Sequence, residues 1–292
     1  MSTTPRVQAP RLQAPRIRAL SVRTELLRQL RRRRSQIAAG LAVIVPLLLV
    51  LAFEFGSDSG DSSGNDNQSA YDGLVGTATA SGLNFALFTL VAASFLLLVL
   101  VALLFGDTVA SEASWSSLRY LLTAPVPRSK LLASKATVSL ISSVAVIVLL
   151  VGTALAVGTA MYGWHPLSLP TGPDLPTDTA LLRLGAITGY IGSSFLSIAG
   201  LAFLLSVSTD SPIGAVGGAV MFYIVTQIFS VISALGVIRE VLPGYYGEAW
   251  LGLLTTPVQT SEMTKGALVT LMYATVFFAA AWWRFATKDI VS

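Results

Sequence analysis

Six long apolar runs constrain this chain more than any other feature of its sequence. A helix that crosses about 30 Å of hydrocarbon needs about 20 mostly apolar residues. The runs cover residues 36–53, 84–105, 136–162, 179–207, 213–235 and 266–285. Only 12% of the residues are charged, against roughly 25% in soluble domains. The sequence therefore predicts an all-α integral membrane protein with six transmembrane helices, in one transmembrane domain over residues 36–285.

The basic residues predict the orientation, because Lys and Arg beside a span are retained on the cytoplasmic side. With the N-terminus inside, the cytoplasmic segments hold 16 of the 19 Lys and Arg residues, ten of them before residue 36. The other side holds three, Arg183, Arg239 and Lys265. We therefore predict that both termini are cytoplasmic, with residues 286–292 as a short tail.

The first 35 residues are predicted to be a basic cytoplasmic tail that ends in a surface helix. Residues 16–34 place Val22, Leu26, Leu27 and Leu30 on one helical face among many arginines, a pattern typical of helices that lie on a membrane surface. Each arginine near an anionic leaflet contributes about 1 kcal/mol. The alternative is a topology signal with a disordered tail. Either way the positive charge indicates membrane lipid as a partner and no nucleic acid.

The first loop outside the membrane has a different composition. Gly, Ser, Asn and Asp dominate residues 56–69, and the loop also carries several carboxylates. Such a composition buries too little apolar area to fold alone. We predict a flexible, acidic loop over residues 54–82.

The loop between the second and third spans, residues 106–135, is longer than a simple connection requires. Its residues 111–114 predict a helix start with an acidic first turn, and Trp115, Leu118 and Leu122 then recur at helical spacing until Pro125. These features predict a short amphipathic helix at the cytoplasmic face.

This loop resembles that of the six-helix permease subunits of ABC-2 type exporters. There it carries an acidic residue, a Leu-Arg pair, a Leu-Leu pair, and then Pro, Arg and Lys. The matching residues are Glu112, Leu118, Arg119, Leu121, Leu122, Pro125, Arg128 and Lys135. The chain departs from the pattern at Ser116 and Ser117, where Gly-Thr is common, and at an extra Pro127. The six-span layout and the basic N-terminal segment extend the resemblance over most of the chain.

The resemblance implies that this loop is a coupling helix that docks on a separate ATPase subunit. The implied contact residues are Glu112, Trp115, Leu118, Arg119, Pro125 and Arg128. It further implies two ATPase copies that bind ATP and Mg, a homodimer or heterodimer of permeases, a bacterial inner membrane and a hydrophobic or amphiphilic cargo. The alternative for each charge is that it solvates the loop.

Several chemistries are excluded by what the sequence lacks. It has no G-x-x-x-x-G-K-[S/T] motif to cradle nucleotide phosphates, so ATP hydrolysis requires a partner. It has no cysteine, and its one histidine, His165, lies in a Pro-rich loop, which leaves little scope for a metal site or a nucleophilic relay. We predict no catalytic residue, no metal ligand and no cofactor in this chain.

Polar and small residues within the spans suggest two further features. Thr226 and Gln227 place polar groups in the middle of the fifth span, where they are costly unless they face protein or water, so they are candidates to line a pathway. Small residues recur at steps of four in the fourth span, at Gly185, Gly189, Ser193 and Ser197. This pattern favours close helix packing, within one subunit, between subunits or beside the transport path.

The segment 236–265 contains too much Pro and Gly to be one spanning helix. By resemblance it forms short re-entrant helices that act as an outer gate. Two other function classes stay open. An ion-driven secondary transporter is favoured by ionisable groups at the midplane and an internal repeat, and neither is evident. A sensor or scaffold subunit coupled to an ATPase is the other.

Overall fold

A computed structural model describes residues 29–56, 66–114, 128–169 and 173–287, together with Leu26. Within these ranges the chain is almost entirely helical. The helices are α1 (Arg33–Gly56), α2 (Asp66–Thr79), α3 (Gly82–Ala92), α4 (Ser94–Ser114), α5 (Arg128–Tyr162), α6 (Thr177–Ser194), α7 (Leu196–Ser208), α8 (Pro212–Val231) and α9 (Ser261–Thr287). Extended pairing in the described residues is limited to an isolated bridge between Leu167 and Leu175.

Six helical stretches among the described residues are long and apolar enough to cross a membrane. They are Arg33–Phe55, Ser94–Ser111, Ser129–Tyr162, Thr177–Ser208, Pro212–Val231 and Ser261–Thr287. The prediction of an all-α fold with six membrane-length helices is confirmed. The predicted N-terminal surface helix up to residue 28, and the predicted coupling helix from Trp115 onward, lie outside the described residues.

Two of the six apolar runs are interrupted helices. The second run consists of α3 and α4, which meet at Ala93, and the fourth consists of α6 and α7, which meet at Phe195. Just before the second interruption, the hydroxyls of Ser193 and Ser194 donate to the carbonyls of Tyr190 and Ile191, at 2.8 and 2.7 Å. Hydroxyls that bond to the preceding turn in this way weaken the regular helix.

Aromatic and glycine contacts hold the bundle together. Phe105 on α4, Phe203 on α7 and Phe278 on α9 form a mutual cluster with ring centroids 5.6–6.1 Å apart. Helices α3 and α5 cross at Gly82, where a Cβ would lie within 2.7 Å of the Thr159 backbone. Only glycine permits this approach.

The loop predicted to be flexible over residues 54–82 contains a helix, so that prediction is wrong in part. Helix α2 occupies Asp66–Thr79. Its last two turns contain Val75 and Ala78, of which Ala78 is buried and Val75 packs against the core. The average composition of the loop hides the apolar face at the C-terminal end of α2.

The predicted helix start at Ser111 is also wrong, because residues 111–114 form the last turn of α4. The Ser111 hydroxyl donates to the carbonyl of Asp107, at 2.6 Å, and so bonds backward into the same helix. At the other side of the loop, α5 begins at Arg128, well before the predicted residue 136.

The region after the fifth span is irregular, as the sequence predicted. Helix α8 ends at Val231, and two 3₁₀ helices follow, Ser233–Val241 and Ala249–Leu253. We call residues 233–260 the 3₁₀ segment. Residues 232–235, which were predicted to belong to the fifth span, therefore lie beyond its end.

Candidate functional site at the arginine end of the bundle

The start of α1, the end of α4, the start of α5 and the turn between α7 and α8 meet at one end of the bundle, which we call the arginine end. The predicted coupling loop leaves from and returns to this end. Trp115, Leu118, Arg119 and Pro125 lie outside the described residues, whereas Glu112 lies in the last turn of α4 and Arg128 is the first residue of α5. The structure thus describes both attachments of the loop.

A buried carboxylate lies beside the first attachment. Asp107 is only 8% exposed and points from α4 toward α1. There Arg34 Nη1 donates to Asp107 Oδ1, and Arg32 Nη1 lies 3.9 Å from Asp107 Oδ2. A carboxylate at this depth requires such a partner, because removal from water strongly disfavours an isolated charge. The pair fixes the start of α1 to the end of α4.

A buried lysine joins the second attachment to the same turn. Lys135 on α5 is 6% exposed, and its Nζ donates to the carbonyl of Thr108 at 3.2 Å. One turn further along α5, the Ser139 hydroxyl donates to the carbonyl of Leu104 at 3.0 Å. Helices α4 and α5 are therefore connected through side chains at two successive turns, next to the loop that links them.

A serine of the fourth span completes the arrangement. The Ser206 hydroxyl on α7 accepts hydrogen bonds from the backbone N–H groups of Val109 and Ala110, at 3.1 and 3.0 Å. Residues 104–110 of α4 thus interact with side chains from α1, α5 and α7. We call Arg34, Asp107, Lys135, Ser139 and Ser206 the clamp.

Sequence reasoning did not identify the clamp as a unit. It ended the second span at residue 105 and so treated Asp107 as a loop residue, and it assigned Lys135 only to the family pattern. One signal was available: Asp107 is the only carboxylate between residues 73 and 111, and a charge beside so long an apolar run indicates a buried partner.

An apolar groove follows the middle of α5 and α6. Its volume is about 410 Å³, and Phe105 of α4 forms part of its wall. The wall from α5 includes Ser143, which is 4% exposed and whose Oγ has no hydrogen-bond partner among the described residues. Its lining carries no charged side chain, so it suits an apolar ligand.

The predicted small-residue stripe forms the other wall of this groove. Gly185, Gly189 and Ser193 line it, and a Cβ at either glycine would meet nothing within 4 Å. Ser197 is buried. Gly185 and Gly189 are exposed. Packing within one subunit, which was one predicted role of the stripe, therefore does not explain these two glycines.

The predicted pathway residues lie elsewhere. Thr226 is buried, and its hydroxyl donates to the carbonyl of Tyr223 at 2.8 Å. The Gln227 side chain packs directly on Gly244 of the 3₁₀ segment, and its Oε1 has no partner among the described residues. Neither residue lines the groove, and their role in a pathway stays a prediction.

The 3₁₀ segment is attached to α6 at the far end of the bundle, opposite the arginine end. Arg183 Nη1 donates to the carbonyls of Leu253 and Thr255, at 2.7 and 3.3 Å. The Tyr190 hydroxyl donates to the carbonyl of Tyr246 at 2.8 Å. Burial, with a smaller contribution from Glu240, raises the pKa of the Tyr246 phenol, so this phenol stays protonated at neutral pH.

Comparison with known families gives a match that begins inside α1 and extends past α9. No curated protein matches the sequence. Within the ranges that the structure covers, no group of three or more His, Cys, Asp or Glu side chains is arranged to hold a metal ion. The matching family model spans residues 41–291 and thus contains Asp107, Lys135 and both walls of the groove. The chain belongs to the family described as "Protein of unknown function (DUF2705)".

Proposed function

We propose that the chain is the transmembrane permease subunit of an ATP-driven ABC-2 type exporter. In this proposal it acts as a homodimer or with a second permease, and two copies of a separate ATPase bind ATP and Mg²⁺. The resemblance of residues 112–135 to the coupling loop of that family suggests the class. The observation that carries the proposal is the clamp, which ties both attachments of that loop to the rest of the bundle.

The clamp gives a physical route from the loop to the membrane helices. A partner that displaces residues 115–127 pulls on the ends of α4 and α5. Because Lys135 and Ser139 hold these helices to each other, the two ends move together, and Ser206 passes the displacement to α7. Allosteric coupling requires an element of this kind whose position both sites affect.

The groove is the second element of the proposal. It lies between α5 and α6, shares Phe105 with the turn just before the clamp, and presents an uncharged lining. A displacement of α4 against α7 changes its width. Pockets of this size and apolarity suit small hydrophobic ligands, in agreement with a hydrophobic or amphiphilic cargo.

The proposed location is the inner membrane of a bacterium, with both termini in the cytoplasm. The asymmetric distribution of the 19 Lys and Arg residues supports this orientation. In this orientation the arginine end faces the cytoplasm, where an ATPase is available, and the 3₁₀ segment faces outward as a gate.

An ion-driven transporter is the second candidate, and the buried Asp107 is the observation that favours it, because intramembrane carboxylates often carry protons. Two features argue against it. Asp107 lies at the end of the bundle, and its Oδ1 already accepts a hydrogen bond from Arg34. A sensor or scaffold subunit shares the ATPase contact with the exporter and differs from it only by lacking cargo movement.

The first test is co-purification from the native membrane in mild detergent, with identification of the bound proteins and an ATPase assay. We expect a stoichiometric ATPase whose binding or activity falls in Glu112→Ala and Arg119→Ala. The matched controls are Glu248→Ala and Arg239→Ala, which remove the same charges near the 3₁₀ segment. A chain that purifies without any nucleotide-hydrolysing partner contradicts the proposal.

Cargo movement then separates the remaining classes. In proteoliposomes that contain the chain and its ATPase, efflux of a hydrophobic dye that requires ATP and persists with an uncoupler supports the exporter. Efflux that an uncoupler abolishes supports the ion-driven transporter. ATPase binding without any efflux supports the sensor.

A further inference from the structure

A second groove lies at the arginine end, between α4 and α8. Its volume is about 500 Å³, and it is open along one side. Val99 and Leu103 form the α4 wall, Val216, Gly217 and Val220 form most of the α8 wall, and Arg34 lies at its end. The helices cross at Gly106, where a Cβ would come within 2.8 Å of Val216 Cγ2, and this crossing closes the groove on the inside.

The groove has the length of a lipid tail. Its α8 wall extends from Pro212 to Val220, which corresponds to about 12 Å at 1.5 Å per residue. One leaflet provides about 15 Å of the 30 Å hydrocarbon thickness. The groove therefore follows most of one leaflet, from the level of Arg34 toward the membrane centre.

The charge at the end of the groove is positive. Arg31, Arg32, Arg33 and Arg34 are consecutive, whereas the last two turns of α4 and the turn before α8 contain three carboxylates, Asp107, Glu112 and Asp210. The side chain of Arg34 is 47% exposed, and its bond to Asp107 uses Nη1. A guanidinium has five N–H donors, so Arg34 can hold Asp107 and an external anion together.

We infer that this groove binds an anionic phospholipid of the leaflet at the arginine end, with the phosphate on Arg34 and one acyl chain along Val99, Leu103 and Val220. The ligand must provide a negative charge and a long apolar chain in this order. Inorganic phosphate offers only the charge, and an apolar helix of a second copy offers only the apolar surface. An anionic lipid offers both.

This inference is independent of the proposed export function, since it requires only a membrane. It links the lipid to the clamp, because Arg34 is common to both. A phosphate that contacts Arg34 adds a second anion to the guanidinium that holds Asp107. The lipid headgroup thus acts on the turn of α4 that leads to the coupling loop.

The test is native mass spectrometry of the full chain in mild detergent, titrated with phosphatidylglycerol and, separately, with phosphatidylethanolamine of the same acyl chains. The first variant is Gly217→Phe, which fills the groove, since a Cβ there meets nothing within 4 Å. Its matched control is Gly152→Phe, at an exposed glycine of α5 where a Cβ also meets nothing. The second variant is Arg34→Gln, with Arg33→Gln as its control.

We expect one phosphatidylglycerol molecule to bind more tightly than phosphatidylethanolamine. Gly217→Phe lowers its affinity at least tenfold, and Gly152→Phe leaves it unchanged. Arg34→Gln lowers the phosphatidylglycerol affinity about fivefold, which corresponds to the roughly 1 kcal/mol of one arginine near an anionic lipid. Arg33→Gln has less than half that effect.

Three results overturn the inference. One is unchanged lipid affinity in Gly217→Phe, which shows that the lipid does not occupy the groove. Another is equal loss in the two arginine variants, which indicates general surface charge. The third is a loss of dimer in Gly217→Phe with lipid binding intact, which assigns the groove to a second copy of the chain.

Discussion

The two ends of the bundle are held by different chemistry. At the arginine end, an ion pair, a buried ammonium and two serines connect four helices to one another around residues 104–110. At the far end, Arg183 and Tyr190 bind backbone carbonyls of the 3₁₀ segment, and two buried polar atoms, Gln227 Oε1 and Arg239 Nε, have no partner among the described residues.

This difference indicates which end is rigid. Charge-assisted hydrogen bonds are about twice as strong as neutral ones, and they occur at both ends. At the arginine end they connect regular helices to one another, whereas at the far end Arg183 holds an irregular segment. The far end attaches an irregular segment whose polar groups are incompletely satisfied, and elements that move are drawn from regions of low local stability. In the proposed exporter, force enters at the rigid end and the 3₁₀ segment opens.

The largest loss of stability is expected when both arginines that contact Asp107 are replaced. The double variant Arg32→Gln, Arg34→Gln leaves the Asp107 carboxylate, which is 8% exposed, without either guanidinium. Breaking a buried pair in this way costs about 3–5 kcal/mol. The measurement is the free energy of unfolding in mixed micelles titrated with SDS, followed by tryptophan fluorescence.

The control for this variant is Arg31→Gln, Arg33→Gln, which removes the same two charges from the same stretch. We expect it to cost less than about 1 kcal/mol, because exposed charges contribute little. Equal destabilisation in both double variants would show that Asp107 does not depend on its pair and would remove the main contrast between the two ends.

The second largest loss of stability is expected at Lys135, the lysine of the clamp. Lys135→Met keeps a long apolar side chain and removes the donor to the Thr108 carbonyl. A hydrogen bond to a charged group contributes about 1.5–3 kcal/mol, and we expect a loss in this range. In the assembled exporter we also expect ATPase activity to persist while efflux falls, since only Ser139 then connects α4 to α5 at this end. Lys130→Met, at an exposed position near the start of α5, is the control.

Much of the fold follows from the sequence, because the need for about 20 apolar residues per span leaves a strong signal. The same argument cannot locate the interruptions at Ala93 and Phe195, since an interrupted helix and a continuous one bury similar residues. It also missed α2, whose last two turns contain the buried Ala78 and the core-packed Val75. The predicted helix boundaries were wrong where the helix extends beyond the apolar run, as at Ser111 and Arg128.

The site was less predictable than the fold. Residues of the predicted coupling loop, such as Glu112 and Arg119, can be picked out from the sequence alone because they follow a family pattern. The clamp joins positions 34, 107, 135, 139 and 206, which only helix packing brings together. Ser206 carried no signal, because a serine in an apolar helix usually bonds to its own preceding turn. Its contact with the N–H groups of Val109 and Ala110 requires the neighbouring helix.

A smaller effect is expected at the far end. Arg183→Met keeps the apolar stem of the side chain and removes the donors to the Leu253 and Thr255 carbonyls. The Thr255 carbonyl is exposed and Arg183 is only partly buried, so water replaces part of what is lost, and we expect about 1 kcal/mol of destabilisation. Amide hydrogen exchange of residues 249–257 should accelerate selectively. A global loss as large as that of Lys135→Met would contradict the contrast between the two ends.

The smallest effect on stability is expected at Gln227, and it also bears on function. The Gln227 Oε1 atom is buried against Gly244 without a partner in the described part of the chain, and an unsatisfied polar atom in this position costs free energy. Gln227→Leu keeps a similar volume and removes that atom, so we expect unfolding free energy to stay within about 0.5 kcal/mol of the wild type or to rise.

If the Gln227 side chain is retained for a pathway, efflux falls in this variant although the protein is no less stable. Unchanged efflux with raised stability would instead assign Gln227 to the attachment of the 3₁₀ segment alone. A clear loss of stability would show that Oε1 has a partner, and the far end would then be as fully satisfied as the clamp.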